Sequence, residues 1–433
     1  MMRVCCLFGL LMAVGCGKQL NPEYCLHNPT DGDCLDAGLV FIDAPAPCSS
    51  NAACMTDPDK SVCDVDLGAC VHCTPTSHAA CTGDTTVCTT DDVCVGCDQN
   101  SQCPSNICLT GTGTCAAPGD VLFANVTPTG TGSCLSDTNR CTLATALTKA
   151  RVPGGGHVIS MATGDYHEGP LTLDIANLQI IAAAGQAVTI TDNANGPVFN
   201  VTVGPALIQN VTIYGALNAD AINCTNATLT LDEVTLQDNP KAAIKARDCT
   251  LTIDRSRQQR NHDRAMDIDD TQLVTRNSVF VDNGNNNLDD GTVKLGNGTT
   301  GEFRFNTVAF NSGKNGGGPG PQPTSGLYCN VINGNFKILN ATDNLFADNP
   351  GAQIAKTNWC DTSRSWAGSS TTVKFTSTAK PYDVHLTSGT PTTNPNAIRD
   401  NGNANCGNVT HDYDNAARPY NQACDIGAYE FRP

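Results

Sequence analysis

A short block recurring about every 22 residues constrains the fold of this 433-residue chain more than any other feature. Ala221-Ile222-Asn223-Cys224, Ala243-Ile244-Lys245-Ala246 and Ala265-Met266-Asp267-Ile268 align at intervals of 22, and Thr292-Val293-Lys294-Leu295 continues the series after a longer turn. A second column runs through 207–213, 229–236, 251–254, 273–280, 303–310 and 336–340. Each unit there is an alternating strand, an Asn or Asp at a bend and usually a second strand. A period of 22–23 residues that widens later is that of a coil carrying three short strands. Stacked coils lie about 4.8 Å apart, so Leu falls on Leu or Phe, and the recurring Asn or Asp can stack as a polar ladder at the bend. The first column sends its second and fourth residues inward and its third outward, where Asn223, Lys245, Asp267 and Lys294 put opposite charges on successive coils. The expectation is an all-β parallel β-helix.

Composition agrees. Aromatics are 5% of the chain, and turn-forming Gly numbers 40. A formal charge of −17 would repel a phosphate backbone, which excludes nucleic acid as a partner. At the start, Arg3 precedes an uncharged run from Val4 to Val14, far short of the ~20 residues that span a bilayer, and residues 1–15 read as a signal peptide. Ala13-Val14-Gly15-Cys16 resembles a bacterial lipobox. That resemblance implies lipidation at Cys16, a membrane partner through the acyl chains and, because Gly17 is not Asp, residence in the outer membrane with display at the surface. The plainer alternative is an ordinary secretory signal with Cys16 a simple thiol. Residues 16–47 then form the anchor and a polar tether ending in Asp43-Ala44-Pro45-Ala46-Pro47.

Of 25 cysteines, Cys5 and Cys6 leave with the signal and Cys16 goes to lipid. The even remainder suits an oxidising compartment. Ten group locally into candidate disulfides: Cys25 with Cys34, Cys134 with Cys141, Cys224 with Cys249, Cys329 with Cys360, and Cys406 with Cys424. The other twelve lie in a module spanning 48–117, where Cys48-54-63-70-73 is echoed by Cys73-81-88-94-97 and a shorter unit through Cys103, Cys108 and Cys115. Few large apolar residues separate them, so six bridges are expected to hold this module. Cys70/Cys73 and Cys94/Cys97 also have zinc-ligand spacing, but outside the cell, with cysteines interleaved, disulfides are the better expectation and no metal is assigned. From Cys73 to Cys115 the stretch is similar to the small cysteine-rich repeats of myxobacterial-type surface proteins, which implies a role in spacing or contact.

Residues 118–390 hold the β-helix. Cys134–Leu147 resembles the cap of exported right-handed β-helices, and Leu143, Ala146, Leu147 and Ala150 give a short helix one apolar face to cover the open end of the stack. Gly154–Tyr166 is similar to the first coil of such proteins, making His157 and His167 polar coil positions rather than ligands. The Gly/Pro-rich insertion from Gly313 to Gly326 is expected to protrude as a loop. Asn394–Gly402, Asp412-Tyr413-Asp414 and Asp425–Phe431 resemble the closing domain called choice-of-anchor Q (residues 391–433), in which Ile426, Tyr429 and Phe431 could cover the last coil.

Chemistry has one candidate centre, the acidic group Asp267, Asp269, Asp270, Asp289 and Asp290, with Arg257, Arg260, His262 and Arg264 nearby in sequence. On a strand Asp267 and Asp269 share a face, roughly 6.5–7 Å apart, the separation of an inverting glycosidase pair. β-Helix enzymes that cut acidic polysaccharides use such carboxylates for acid–base work or to hold Ca2+. Lys245 beside Asp267 and Arg247 beside Asp269 would instead make an ordinary ladder of countercharges, the preferred reading. The polygalacturonase segments Asn-Thr-Asp, Gly-His-Gly and Arg-Ile-Lys are missing. The expected function is therefore a non-catalytic surface protein binding carbohydrate or another cell-envelope partner, with no cofactor. The alternatives are a polysaccharide lyase or hydrolase, for which Ca2+ would be possible, and a spacer or adhesin working through the cysteine-rich module.

Overall fold

The computed structural model describes residues 48–433 except 56–59, 75–80, 82–86, 90, 98, 104, 106, 110–112, 183–184, 193, 286–289, 314–323, 330–338, 356–359 and 394–396. The signal peptide, Cys16, the tether, Cys25, Cys34 and Asp289 lie outside the described residues. So do most of the Gly/Pro-rich insertion, the start of the 336–340 repeat and Asn394-Pro395-Asn396. Residues up to 82 together with 88–95 form one unit, and 83–87 together with 96–433 form another.

Among the described residues of the second unit, strands pair into three parallel sheets of ten, nine and eight strands, each sheet taking every third strand. This is a parallel β-helix, wound in the right-handed sense that parallel crossovers take. Its register follows the sequence columns. Ile222, Ile244, Met266 and Val293 are paired inside the eight-stranded sheet, and Asn223, Lys245, Asp267 and Lys294 are paired outside it. Leu229, Leu251 and Leu273 stack within the ten-stranded sheet, and the Phe280 and Phe303 rings meet at 5.4 Å. These lumen side chains are wholly buried, each burial contributing roughly 1.5–3 kcal/mol. The helix Leu143–Ala150, capped by Thr142, buries Leu143, Ala146, Leu147 and Ala150 against the first coil's strands.

Three features depart from the sequence expectation. First, the bend after the ten-stranded sheet is a single left-handed residue at Asn210, Glu233, Arg255, Asn277, Phe305 and Asp343, with φ between 43° and 63°. Asn210, Asn277 and Asp343 take that conformation readily, whereas coil stacking imposes it on Glu233, Arg255 and Phe305, and the polar ladder begins one position later. There Ser256 N donates to Ser278 Oγ, Ser278 N to Asn306 Oδ1 and Asn306 N to Asn344 Oδ1. A second, wholly buried ladder, Asn239, Asn261, Asn283, Asn311 and Asn349, follows the nine-stranded sheet, each amide donating to the next residue's Oδ1 at 2.8–3.1 Å. Second, Thr324–Cys329, the end of the expected loop, is a strand of the eight-stranded sheet.

Third, the closing segment packs along the outer face of the nine-stranded sheet, from Val279 to Trp366 of its last strand. The antiparallel hairpin Phe375–Ser377/Asp383–Leu386, with Ile398, Ile426, Ala428 and Tyr429, packs against Val279, Val281, Ala309, Leu345 and Ala347. These five are outer-face residues of the nine-stranded sheet. The cause is legible in register: the column Tyr214, Gln237, Gln259 continues as Val281, Ala309, Ala347, so this face turns apolar and needs a cover. Gly427, at φ 104°, brings the segment so close that a Cβ there would sit 2.9 Å from Leu345 Cβ. Behind it, buried Arg418 donates to the carbonyls of Asp425 and Gly427 and lies 3.3 Å from Glu430. Burial nonetheless pushes Glu430 up to about 7.

The cysteines between Cys48 and Cys115 form three interleaved knots: Cys48–Cys63 with Cys54–Cys70, Cys73–Cys88 with Cys81–Cys94, and Cys97–Cys108 with Cys103–Cys115. Cys73 and Cys97 therefore open knots rather than close them, and each Cys-X-X-Cys pair straddles two knots with its sulfurs in disulfides. The third knot belongs to the β-helix unit, where Ile107 and Ala116 pack with Val121, Val158 and Ile181. Further bridges join Cys134 to Cys141, Cys224 to Cys249, Cys329 to Cys360 and Cys406 to Cys424.

Candidate functional site

The outer face of the eight-stranded sheet carries Asn200, Asn223, Lys245, Asp267, Lys294 and Tyr328 in register, one per rung. Arg247 and Asp269 form the neighbouring outward column. Arg247 Nη2 lies 3.1 Å from Asp267 Oδ2 and 2.9 Å from Asp269 Oδ2, while its Nη1 donates to the Asp267 and Ala246 carbonyls. From the next rung Lys294 Nζ stands 3.5 Å from both Asp267 and Asp290, and Arg264 pairs with Asp290. Asp267, Asp269 and Asp290 are thus brought together. Asp270 is at a left-handed bend and exposed. Of the basic residues near in sequence only Arg264 joins the cluster; Arg257 is on the nine-stranded sheet, Arg260 at its end, and His262 is exposed with its N–H on the Asn239 carbonyl. Lys245 is in register with Asp267, but among the described residues the ion pairs of Asp267 are with Arg247 and Lys294.

Burial works against the charge of Asp267, but Lys294, Arg247 and Arg264 outweigh it and hold the carboxyl below the ordinary range. Asp269 moves the other way, raised by burial against the pull of Arg247. Opposite shifts on two carboxylates would suit an acid–base pair if there were room between them for a water and a glycosidic oxygen. Here that space holds the Arg247 guanidinium. The three carboxylates brought together, Asp267, Asp269 and Asp290, each face a guanidinium or ammonium that a calcium ion would have to displace. His157 Nδ1 sits 3.2 Å from Asp120 and His167 Nε2 3.5 Å from Asp165, both on half-exposed pairs.

A second polar face lies on the nine-stranded sheet. Thr189, Thr212, Thr235 and Arg257 are in register outside it, beside Tyr214, Gln237 and Gln259, all half-buried. Gln259 Nε2 donates to Gln237 Oε1 at 2.8 Å. Where the C-terminal hairpin covers the sheet, a cleft of about 280 Å³ opens among Arg257, Gln259, Arg260, Asp282, Lys380 and Tyr382. Arg257 Nε donates to Gln259 Oε1 and its Nη2 to the Tyr382 carbonyl. Arg260 binds Asp238 through two nitrogens, and Lys380 pairs with Asp282. Tyr382 stacks on Phe310, 4.3 Å between centroids and 6° between planes. Just behind, His385 bridges Asp383 and Asp414; Asp414 chiefly, with Asp383 adding and partial burial opposing, raises it to about 9.

Residues 43–121 match a family described as "Family of unknown function (DUF8331)". No curated protein matches the chain. Among solved structures, the crystal structure of pectate lyase Pel9A is similar over 72% of this chain and 96% of its own, at 15% identity and a TM-score of 0.33. The β-helical architecture rests on the strand pairing itself. The matched family segment contains all three cysteine knots and ends at Val121, the first residue of the β-helix's first strand.

The sequence reading missed Gln237, Gln259, Lys380 and Tyr382. Its second column entered the nine-stranded sheet but stopped at Ile213, Leu236 and Phe280, one residue short of Tyr214, Gln237 and Val281. Extending the same register count along the third sheet exposes the switch from Gln259 to Val281 and the need for a cover beside it.

Proposed function

We propose that this protein is exported, anchored by a lipid on Cys16 to the outer membrane, and binds carbohydrate of the cell envelope through its polar rungs without cutting it. One observation carries the non-catalytic part: the Arg247 guanidinium occupies the space between Asp267 and Asp269, the only described carboxylate pair at strand spacing that the sequence singles out for catalysis. Support for export comes from ten disulfides among the described cysteines, a density that a reducing cytosol would not sustain. Support for binding comes from hydrogen-bonding side chains repeated at rung spacing, about 4.8 Å, along two outer faces. The mature protein is tested on a glycan array and in depolymerisation assays with and without calcium. Binding without release of reducing ends or unsaturated products is expected, unchanged in Asp267→Asn. Product release that Asp267→Asn abolishes would overturn the reading.

A further inference from the structure

We infer that the nine-stranded sheet's outer face and the cleft at the C-terminal hairpin form one binding groove for an uncharged polysaccharide, with the hairpin as its stop. The inference rests on the glycan-binding reading above and assigns it a site and a ligand class. Three observations support it.

The first is geometry. Thr189, Thr212 and Thr235, flanked by Tyr214 and Gln237, present a hydroxyl or amide on each successive rung, and a rung spacing of about 4.8 Å is close to the rise of one sugar in an extended chain. A polymer lying along the stack axis meets the same polar groups at each residue. The second is the wall. At Val281 the sheet passes under the hairpin, and Lys380 and Tyr382 rise at the edge of the exposed face, so a chain running along the ladder ends there.

The third is charge. Each ionised side chain in the cleft has a committed partner: Arg260 has Asp238 and Lys380 has Asp282, while Arg257 is held by Gln259 and the Tyr382 carbonyl. The partners of Arg257 are neutral, but Asp383 and Asp414 stand behind it around the single charge of His385, so the cleft and its backing offer no surplus of positive charge to a polyanion, and the chain's −17 repels one at long range. Paired guanidinium, carboxylate and amide planes remain able to exchange hydrogen bonds with hydroxyls, and the Tyr382 ring, stiffened by Phe310, gives a sugar's C–H face a surface.

The test uses the oxidised mature protein and affinity electrophoresis on soluble neutral polymers (β-glucan, mannan, xylan) and acidic ones (polygalacturonate, alginate), each at 20 mM and 500 mM NaCl. Retardation by at least one neutral polymer is expected, insensitive to salt. It is expected to weaken at least tenfold in Gln237→Ala and in Thr212→Arg and to persist in Lys149→Gln on the cap helix, with the far-UV and near-UV circular dichroism unchanged in all three. Retardation by acidic polymers alone, abolished by salt, would overturn the ligand class while leaving glycan binding intact. Neutral-polymer binding indifferent to Gln237 and Thr212 would overturn the site. If no polymer is retarded, the glycan-binding reading itself fails.

Discussion

Replacing Asn283 with Ala tests what holds the coils in register. Asn283 is wholly buried, and its Oδ1 accepts from Asn261 N at 3.1 Å and Asn261 Nδ2 at 2.8 Å. Its own amide donates to the Gln258 carbonyl at 2.7 Å and to Asn311 Oδ1 at 3.1 Å. Alanine leaves the Asn261 backbone N–H without a partner, takes one of the bonds of the Asn261 amide and removes a donor from the Gln258 carbonyl. A buried polar group left unsatisfied costs about 1–3 kcal/mol. With partial relaxation the three together predict a loss of about 3–5 kcal/mol, in the range reserved for broken buried networks. Because each coil touches only its neighbours, the loss falls on the central interfaces and the stack on both sides feels it. The assay is equilibrium guanidinium unfolding with disulfides intact, followed at 218 nm, against Thr235→Ala, an outward substitution expected to cost less than about 0.5 kcal/mol. A midpoint for Asn283→Ala that matches Thr235→Ala refutes the claim that the asparagine ladder sets the register.

His385 has a folded pKa of about 9 against an ordinary 6.5, so the stability it contributes is complete below about 6.5 and disappears as pH rises through about 9. The melting-temperature gap between wild type and His385→Gln should therefore be widest near pH 6 and close above pH 9; a constant gap would contradict the clamp. Arg247→Gln should cost about 1–2 kcal/mol in the same unfolding assay, between the values of exposed and buried ion pairs, and Asp267→Asn combined with it should recover part of the loss. Cys54→Ser/Cys70→Ser opens a loop of 16 residues, worth about 3 kcal/mol, in a segment with almost no apolar core. Limited trypsin digestion should then cut within 48–70 while the β-helix survives.

Legibility differed between the lumen and its exterior. The 22-residue columns fixed which residues face inward, because stacking repeats the same apolar choice at Ile222, Ile244 and Met266, and a slip of one residue would turn Asn223, Lys245 and Asp267 into the core. The helical cap followed from Leu143, Ala146, Leu147 and Ala150 for the same reason. The ladder was placed one bend position off and its longer counterpart was missed. Asn239, Asn261, Asn283, Asn311 and Asn349 stand at intervals of 22, 22, 28 and 38, and those widening loops hide the column from any fixed-period count.

The candidate site was harder to read because charge alone does not separate a reacting carboxylate from a stacked one. Asp267 and Asp269 have the spacing of a catalytic pair on any strand; only the conformation of Arg247, one coil away, decides that a guanidinium rather than substrate lies between them. The cleft at Lys380 and Tyr382 joins residues 98 and 125 positions apart, through a hairpin whose docking no local pattern announces. What did announce it was an outward column turning from Tyr214, Gln237 and Gln259 to Val281, Ala309 and Ala347. In a solenoid a face that changes character midway marks where something else must sit, and the boundary of that cover is where an extended ligand on the uncovered rungs is brought to a halt.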